Sequence, residues 1–169
     1  LVGINAVVSY LANNFLFLQQ DRGRFSSEIS ASNIDVSFKS DEESFYITLK
    51  FMPSDIKIIT EFLHKFFYEF DVLEEDVIKA KEFMQYSRDN SYLNSNFISY
   101  QNFSKNFFDE RYARDGFIGD HNYDKINITQ VQNFVQNLVN KDQLKIAIAG
   151  DLKDTKLEGF INGLFSNFI

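Results

Sequence analysis

The chain has 169 residues with 17 basic and 24 acidic side chains, a formal charge of −7, no cysteine and 20 phenylalanines. That length suits one domain with a sizeable, here strongly aromatic, core. The acidic balance argues against nucleic acid and anionic membrane surfaces, which demand concentrated positive charge. Without cysteine there are no disulfides, thiolate metal sites or cysteine nucleophiles. The compartment stays open, with periplasmic, other extracytoplasmic and organellar settings all compatible.

Residues 3–20 are predominantly apolar, without proline, and predict a mostly buried helix that stops at the Asp21-Arg22-Gly23 turn. Ser9, Asn13 and Asn14 interrupt its apolar run, so neither a signal peptide nor a membrane span is expected and the chain reads as soluble. The sequence opens at Leu1 and enters this apolar segment almost at once, which gives the expectation of a single domain over residues 1–169 lacking its N-terminal part, a fragment of a longer chain. Phe25, Glu28 and Ile29 suggest a short second helix. Period-two patterning over Ile34–Phe38 and Phe45–Phe51, separated by the polar 39–44 stretch, predicts a β-hairpin.

Pro53, the only proline, sits where a helix through Phe70 would begin, a position at which its missing N–H costs nothing. Ile56, Ile59, Phe62, Leu63, Phe66 and Phe67 form the apolar face of that helix. Glu74, Glu75 and Asp76 then favour the positive end of the next helix dipole, with Val77, Ile78 and Phe83 following; this helix either continues past Tyr92 or breaks near Asn94. Residues 109–125 hold Gly116 and Gly119 without periodicity and read as a loop. Asn127 or Thr129 caps a helix carrying Val131, Phe134, Val135, Leu138 and Val139 on one face. Leu144–Ala149 reads as a buried strand, Gly150-Asp151 as a turn, and Leu157, Ile161, Leu164 and Phe165 as the stripe of a closing helix. The succession predicts an α+β sandwich, helices packed on a largely antiparallel sheet.

Read in that order, the pieces resemble a domain of the insulinase and pitrilysin family of zinc peptidases (peptidase family M16), which also contains mitochondrial processing peptidase and the respiratory-complex core proteins. The matching pieces are the first helix ending Phe15-Leu16-Phe17, Phe25-Ser26-Ser27-Glu28-Ile29 leading to the Ser44-Phe45-Tyr46 strand, and Pro53-Ser54-Asp55-Ile56 before a long helix. After these come Leu73-Glu74-Glu75-Asp76-Val77 with Ala80-Lys81, and the module from Ile128 to Gly150-Asp151. Together they span nearly the whole chain.

Active members of that family carry H-x-x-E-H on the first helix, two imidazoles one turn apart for zinc and a glutamate that activates the metal-bound water. The equivalent stretch here is Tyr10-Leu11-Ala12-Asn13-Asn14: Tyr10 and Asn14 replace the ligands and Asn13 replaces the base. Amides bind zinc poorly and cannot take up a proton at neutral pH, so no catalytic residue, metal ligand or cofactor is expected in this chain, and zinc belongs to a partner domain if anywhere. The family's later acidic positions fall, through Ala80-Lys81-Glu82, at Glu82 and Asp89, which read on their own as a solvated helix face. His64 and His121 lack a second imidazole at ligand spacing and read as structural. No P-loop, G-x-S-x-G elbow or dinucleotide fingerprint occurs, and the aromatic stripes of Phe62, Phe66 and Phe67 and of Phe103, Phe107 and Phe108 read as core.

The resemblance implies a non-catalytic domain that contributes to the peptide-binding chamber of a zinc protease or its paired subunit. Its partners would be another M16-like domain or subunit and a peptide held in part along an exposed strand edge. Two alternatives stand beside it: a structural or assembly subunit like the respiratory core proteins, or part of an active zinc metalloprotease whose metal site lies elsewhere in the parent protein.

Overall fold

The computed structural model describes residues 3–14, 32–41, 44–107, 123–139 and 144–150, together with Gly159 and Ile161. The expected short helix near Phe25, the stretch 109–122 with His121, and the closing helix apart from the helical Gly159 and Ile161 lie outside those residues. Helix α1 spans Ile4–Asn14, and a hairpin follows, β1 (Asp35–Ser40) with β2 (Phe45–Lys50). Helices α2 (Ile56–Tyr68), α3 (Glu74–Ser91), α4 (Ser95–Phe107) and α5 (Ile128–Asn137) complete the order. The architecture is α+β, with one antiparallel two-stranded sheet among the described residues.

The predicted hairpin forms, with Val36 opposite Leu49, Phe38 opposite Ile47 and Ser40 opposite Phe45. Because successive side chains alternate between faces, Val36, Phe38, Phe45, Ile47 and Leu49 share the inner one. There the Phe38 ring meets Phe66 at 4.7 Å and Phe62 at 6.2 Å, both from α2, and Phe45 meets Phe134 of α5 edge-on at 6.0 Å. Asp41 closes the turn, its Oδ1 accepting from the Ser44 amide and its Oδ2 from the Tyr46 hydroxyl.

Helix α1 is the centre of the packing. Ile4, Ala6, Val7, Val8, Leu11 and Ala12 are all buried, apolar on nearly every side, as expected of a helix enclosed by its neighbours β1, α3 and α5. Helix α2 buries Ile59, Phe62, Leu63, Phe66 and Phe67, five of the six residues assigned to its inner face, and Pro53 opens the short 3-10 turn Pro53–Asp55 that leads into it. The helix ends at Tyr68, and Phe70 and Val72 beyond it are still buried.

Helix α3 starts where the acidic triplet places it, and the Asp76 carboxylate reaches back to accept from the Leu73 amide at 3.1 Å. It stops at Ser91, and a turn through Leu93 separates it from α4, which settles the break near Asn94. Its inner residues are Val77, Ala80 and Met84, whereas Ile78 is exposed. At the end of the unassigned region Tyr123–Lys125 forms a single 3-10 turn with Tyr123 buried, in place of a loop. Lys81 of α3 fastens it by donating to the carbonyls of Asp124 and Ile126. Helix α5 is capped by Asn127, whose Oδ1 accepts from the Gln130 amide while Gln130 Oε1 accepts from the Asn127 amide.

The expected strand at Leu144–Ala149 is corrected. Those residues form no regular structure, pair with no strand among the described residues, and leave Ile146 and Ile148 exposed. Alternation of apolar residues makes a segment fit for a strand, but a strand exists only when a neighbour takes its backbone groups.

Candidate functional site

A groove of about 400 Å³ lies between α1, β1 and α3. Helix α1 contributes Ser9, Tyr10 and Asn13, the strand contributes Phe38, Lys39 and Ser40, and α3 contributes Phe83, Met84 and Ser87. Two of the three α1 positions compared with the zinc motif, Tyr10 and Asn13, therefore line the groove. Asn14 is not among its lining residues, and neither are Glu82 and Asp89.

The three α1 side chains each have a structural occupation. The Tyr10 ring stacks on Phe83 with centroids 4.6 Å apart, so the α3 residue opposite Tyr10 is an aromatic and not a carboxylate. Asn13 Nδ2 donates to the carbonyls of Phe38 and Ser9, both at 2.8 Å, and Asn13 Oδ1 accepts from the Phe38 amide at 3.0 Å. Asn14 Nδ2 turns back along its own helix to the Tyr10 carbonyl. Glu82 and Asp89 are exposed, Asp89 in contact with Arg88 at 3.1 Å.

The Asn13 contacts belong to a longer pattern that the sequence reading missed. In an antiparallel pair, alternate residues direct both N–H and C=O away from the partner strand, and Phe38 is such a residue on the outer edge of β1. Ser9 Oγ also donates to the Phe38 carbonyl, at 3.0 Å, and Asn5 Nδ2 donates to the Asp41 carbonyl at 2.8 Å. Asn5, Ser9 and Asn13 are spaced four apart, so they lie on one helical face. That polar stripe lets α1 stand in for a third strand. The signal was in the sequence: small polar residues at i, i+4 and i+8 in an otherwise apolar helix.

Among the described residues, none of the nine that line the groove is Asp or Glu and one, Lys39, is a cation, in a chain whose formal charge is −7. Phe83, which lines the groove and is 45 % exposed, stacks with Tyr10 into a half-open aromatic shelf.

A second, more open depression of about 480 Å³ is lined by Lys57, Thr60, Glu61, His64, Lys65 and Glu69. There His64 is exposed on α2, its ring against Tyr68 and its Nδ1 3.9 Å from Glu69 Oε1. Burial raises the pKa of the Tyr123 phenol, while the Arg88 cation works in the opposite direction. Among the described residues no three His, Cys, Asp or Glu side chains converge as a metal site, and no helix is long and apolar enough to cross a membrane. Set against known proteins, the chain matches no family model, and no curated protein or solved structure shows significant similarity to it.

Proposed function

We propose that this chain is a non-catalytic domain of the insulinase and pitrilysin type, which helps to enclose and hold a peptide in a chamber completed by another such domain or subunit. The observation that supports this reading is the use made of the three motif positions. Where an active member needs two imidazoles and a glutamate aimed at one metal, Tyr10 is stacked on Phe83, Asn13 is bonded to the Phe38 backbone and Asn14 is folded onto its own helix. Any zinc of the assembly, and the hydrolysis it performs, belongs to the partner. The net negative charge favours peptides rich in basic residues. The edge of β1 at Phe38 is already occupied by α1, so the peptide is held by the groove beside it and not by strand addition at that residue.

Elemental analysis of the purified chain, paired with a chelator-controlled cleavage assay on an unstructured basic peptide, tests the reading. Absence of both zinc and cleavage is expected, with peptide binding retained. Zinc near one equivalent together with chelator-sensitive cleavage would show instead a catalytic domain.

A second reading, an assembly subunit of the same fold type, is favoured by α4. That helix is inverted: Tyr100, Phe103 and Phe107 are 60 %, 52 % and 74 % exposed, while Gln101 is buried with its Nε2 unpaired. An exposed aromatic face over a buried amide suits a helix covered by another protein. Stable recovery in a complex, without affinity for peptides, would select this reading over the first.

A further inference from the structure

We infer that the groove between α1, β1 and α3 is a socket for the C-terminal residue of a peptide, taking an apolar side chain on the Tyr10–Phe83 shelf and the free terminal carboxylate beside Lys39. The inference rests on the chamber reading above and specifies which part of the peptide this domain holds.

Three observations carry it. The volume of about 400 Å³ accommodates one large side chain with its backbone, and not a folded segment. The shelf is aromatic and half exposed: Tyr10 and Phe83 stack at 4.6 Å with Phe83 45 % exposed, and Met84 forms part of the same wall. An apolar side chain laid there removes surface from water on both partners.

The charge distribution selects the carboxylate. Among the described residues the groove is lined by Lys39 and by no acid, although acids outnumber bases by 24 to 17 in the chain. Of the described acids close in sequence to the lining residues, Asp41 accepts from the Ser44 amide and the Tyr46 hydroxyl, Asp89 contacts Arg88, and Glu82 is exposed outside the lining. An anion entering beside Lys39 thus meets attraction locally while the basic body of the peptide is drawn to the acidic remainder of the surface. An internal apolar residue would satisfy the shelf but bring no charge to Lys39, so the terminal position is the discriminating feature.

The experiment is a fluorescence anisotropy titration of a labelled lysine- and glycine-rich nonapeptide ending in leucine, as the free acid and as the C-terminal amide, against the folded chain. The free acid should bind at least tenfold tighter than the amide. Lys39→Glu, an exposed strand position, should abolish that preference. Ser87→Phe, which fills the groove, should weaken the free acid at least tenfold, and Phe83→Ser should do the same from the opposite chemical direction, so one failed fold does not remove the test. Equal binding of acid and amide, or binding indifferent to the groove variants, overturns the socket while leaving peptide capture elsewhere in the chamber. No peptide binding by the folded protein overturns the chamber reading as well. Capture of a ten-carbon fatty acid without capture of the peptide also overturns the proposal, reassigning the groove to a small amphiphile.

Discussion

Replacement of Asn13 by alanine removes the clamp between α1 and the outer edge of β1, and its cost can be worked out bond by bond. Asn13 makes two hydrogen bonds to the Phe38 backbone, one donated at 2.8 Å and one accepted at 3.0 Å, besides the local bond to Ser9. A neutral hydrogen bond contributes about 0.5–1.5 kcal/mol net, so the two strand bonds together are worth roughly 1–3 kcal/mol. Alanine returns up to about 0.7 kcal/mol through its better helix propensity, and water reaches part of the vacated site because Asn13 is at the solvent boundary. A net loss of about 1–2 kcal/mol is expected in urea denaturation.

The same geometry makes a sharper statement about Asn13→Asp. An aspartate keeps an acceptor for the Phe38 amide but turns an anion toward the carbonyls of Phe38 and Ser9, which now receive no donor from it. Those oxygens disfavour the charged form and raise the folded-state pKa above the usual aspartate value of about 3.9. The variant is therefore closest to wild type below that value, where its protonated O–H replaces one donor, and loses stability as pH rises through the raised pKa. Native-state hydrogen exchange at the Phe38 amide provides a residue-specific reading: exchange should accelerate in Asn13→Ala with no matching change at residues of α2. An alanine variant within about 0.5 kcal/mol of wild type and still protected at Phe38, or an aspartate variant with no pH dependence beyond wild type, would refute the clamp.

Ser9 shares the Phe38 carbonyl with Asn13, so Ser9→Ala alone should cost under about 1 kcal/mol, and the double variant should exceed the sum of the singles because only then is the acceptor stripped. Asn127→Ala dismantles the reciprocal bonds at the start of α5 and should cost about 1 kcal/mol, within the 0.5–2 kcal/mol typical of N-caps, by thermal or chemical denaturation. Phe66→Ala should be the most damaging of the set, at about 3–5 kcal/mol, since that ring is fully buried and meets Phe38, Phe67 and Phe70 within 5.2 Å. For Tyr123, whose phenol titrates above its ordinary value in the folded state, the unfolded chain releases its proton first. Its contribution is intact below about pH 10 and is lost as pH rises through the folded value, so Tyr123→Phe should flatten the alkaline decline of the melting temperature.

Much of the fold was legible because it is written in short-range periodicity. The hairpin, the inner face of α2, the acidic start of α3 and the Asn127 cap each follow from residues within one or two turns of one another. Leu144–Ala149 shows the limit of that signal. Its alternation is as regular as that of β2, yet β2 has β1 beside it and 144–149 has no paired neighbour among the described residues. Period two measures suitability for a sheet, while pairing depends on what the rest of the chain brings alongside. The exposed Ile78 and the groove-facing Phe83 have the same origin, because the pattern of α3 says which residues are apolar but not which of them find a neighbouring element.

The groove was half legible for a different reason. Comparison with a zinc motif drew attention to Tyr10, Asn13 and Asn14 as residues defined by what they lack, two imidazoles and a base. The structure gives two of them positive work in a shared place: Tyr10 builds an aromatic shelf with Phe83, and Asn13 binds both backbone groups of Phe38. That work conflicts with metal binding at the same atoms, since an amide whose donor and acceptor are both committed to a strand has nothing left to offer a cation. Placing His at 10 and 14 and Glu at 13 would accordingly first break the ring stack and the edge clamp, and α3 would still present Phe83 opposite position 10. Edge sealing by Asn13 and zinc chemistry at that position thus exclude one another on α1, and the helix is understood through Asn5, Ser9 and Asn13, whose side chains bind the outer edge of β1 and its turn.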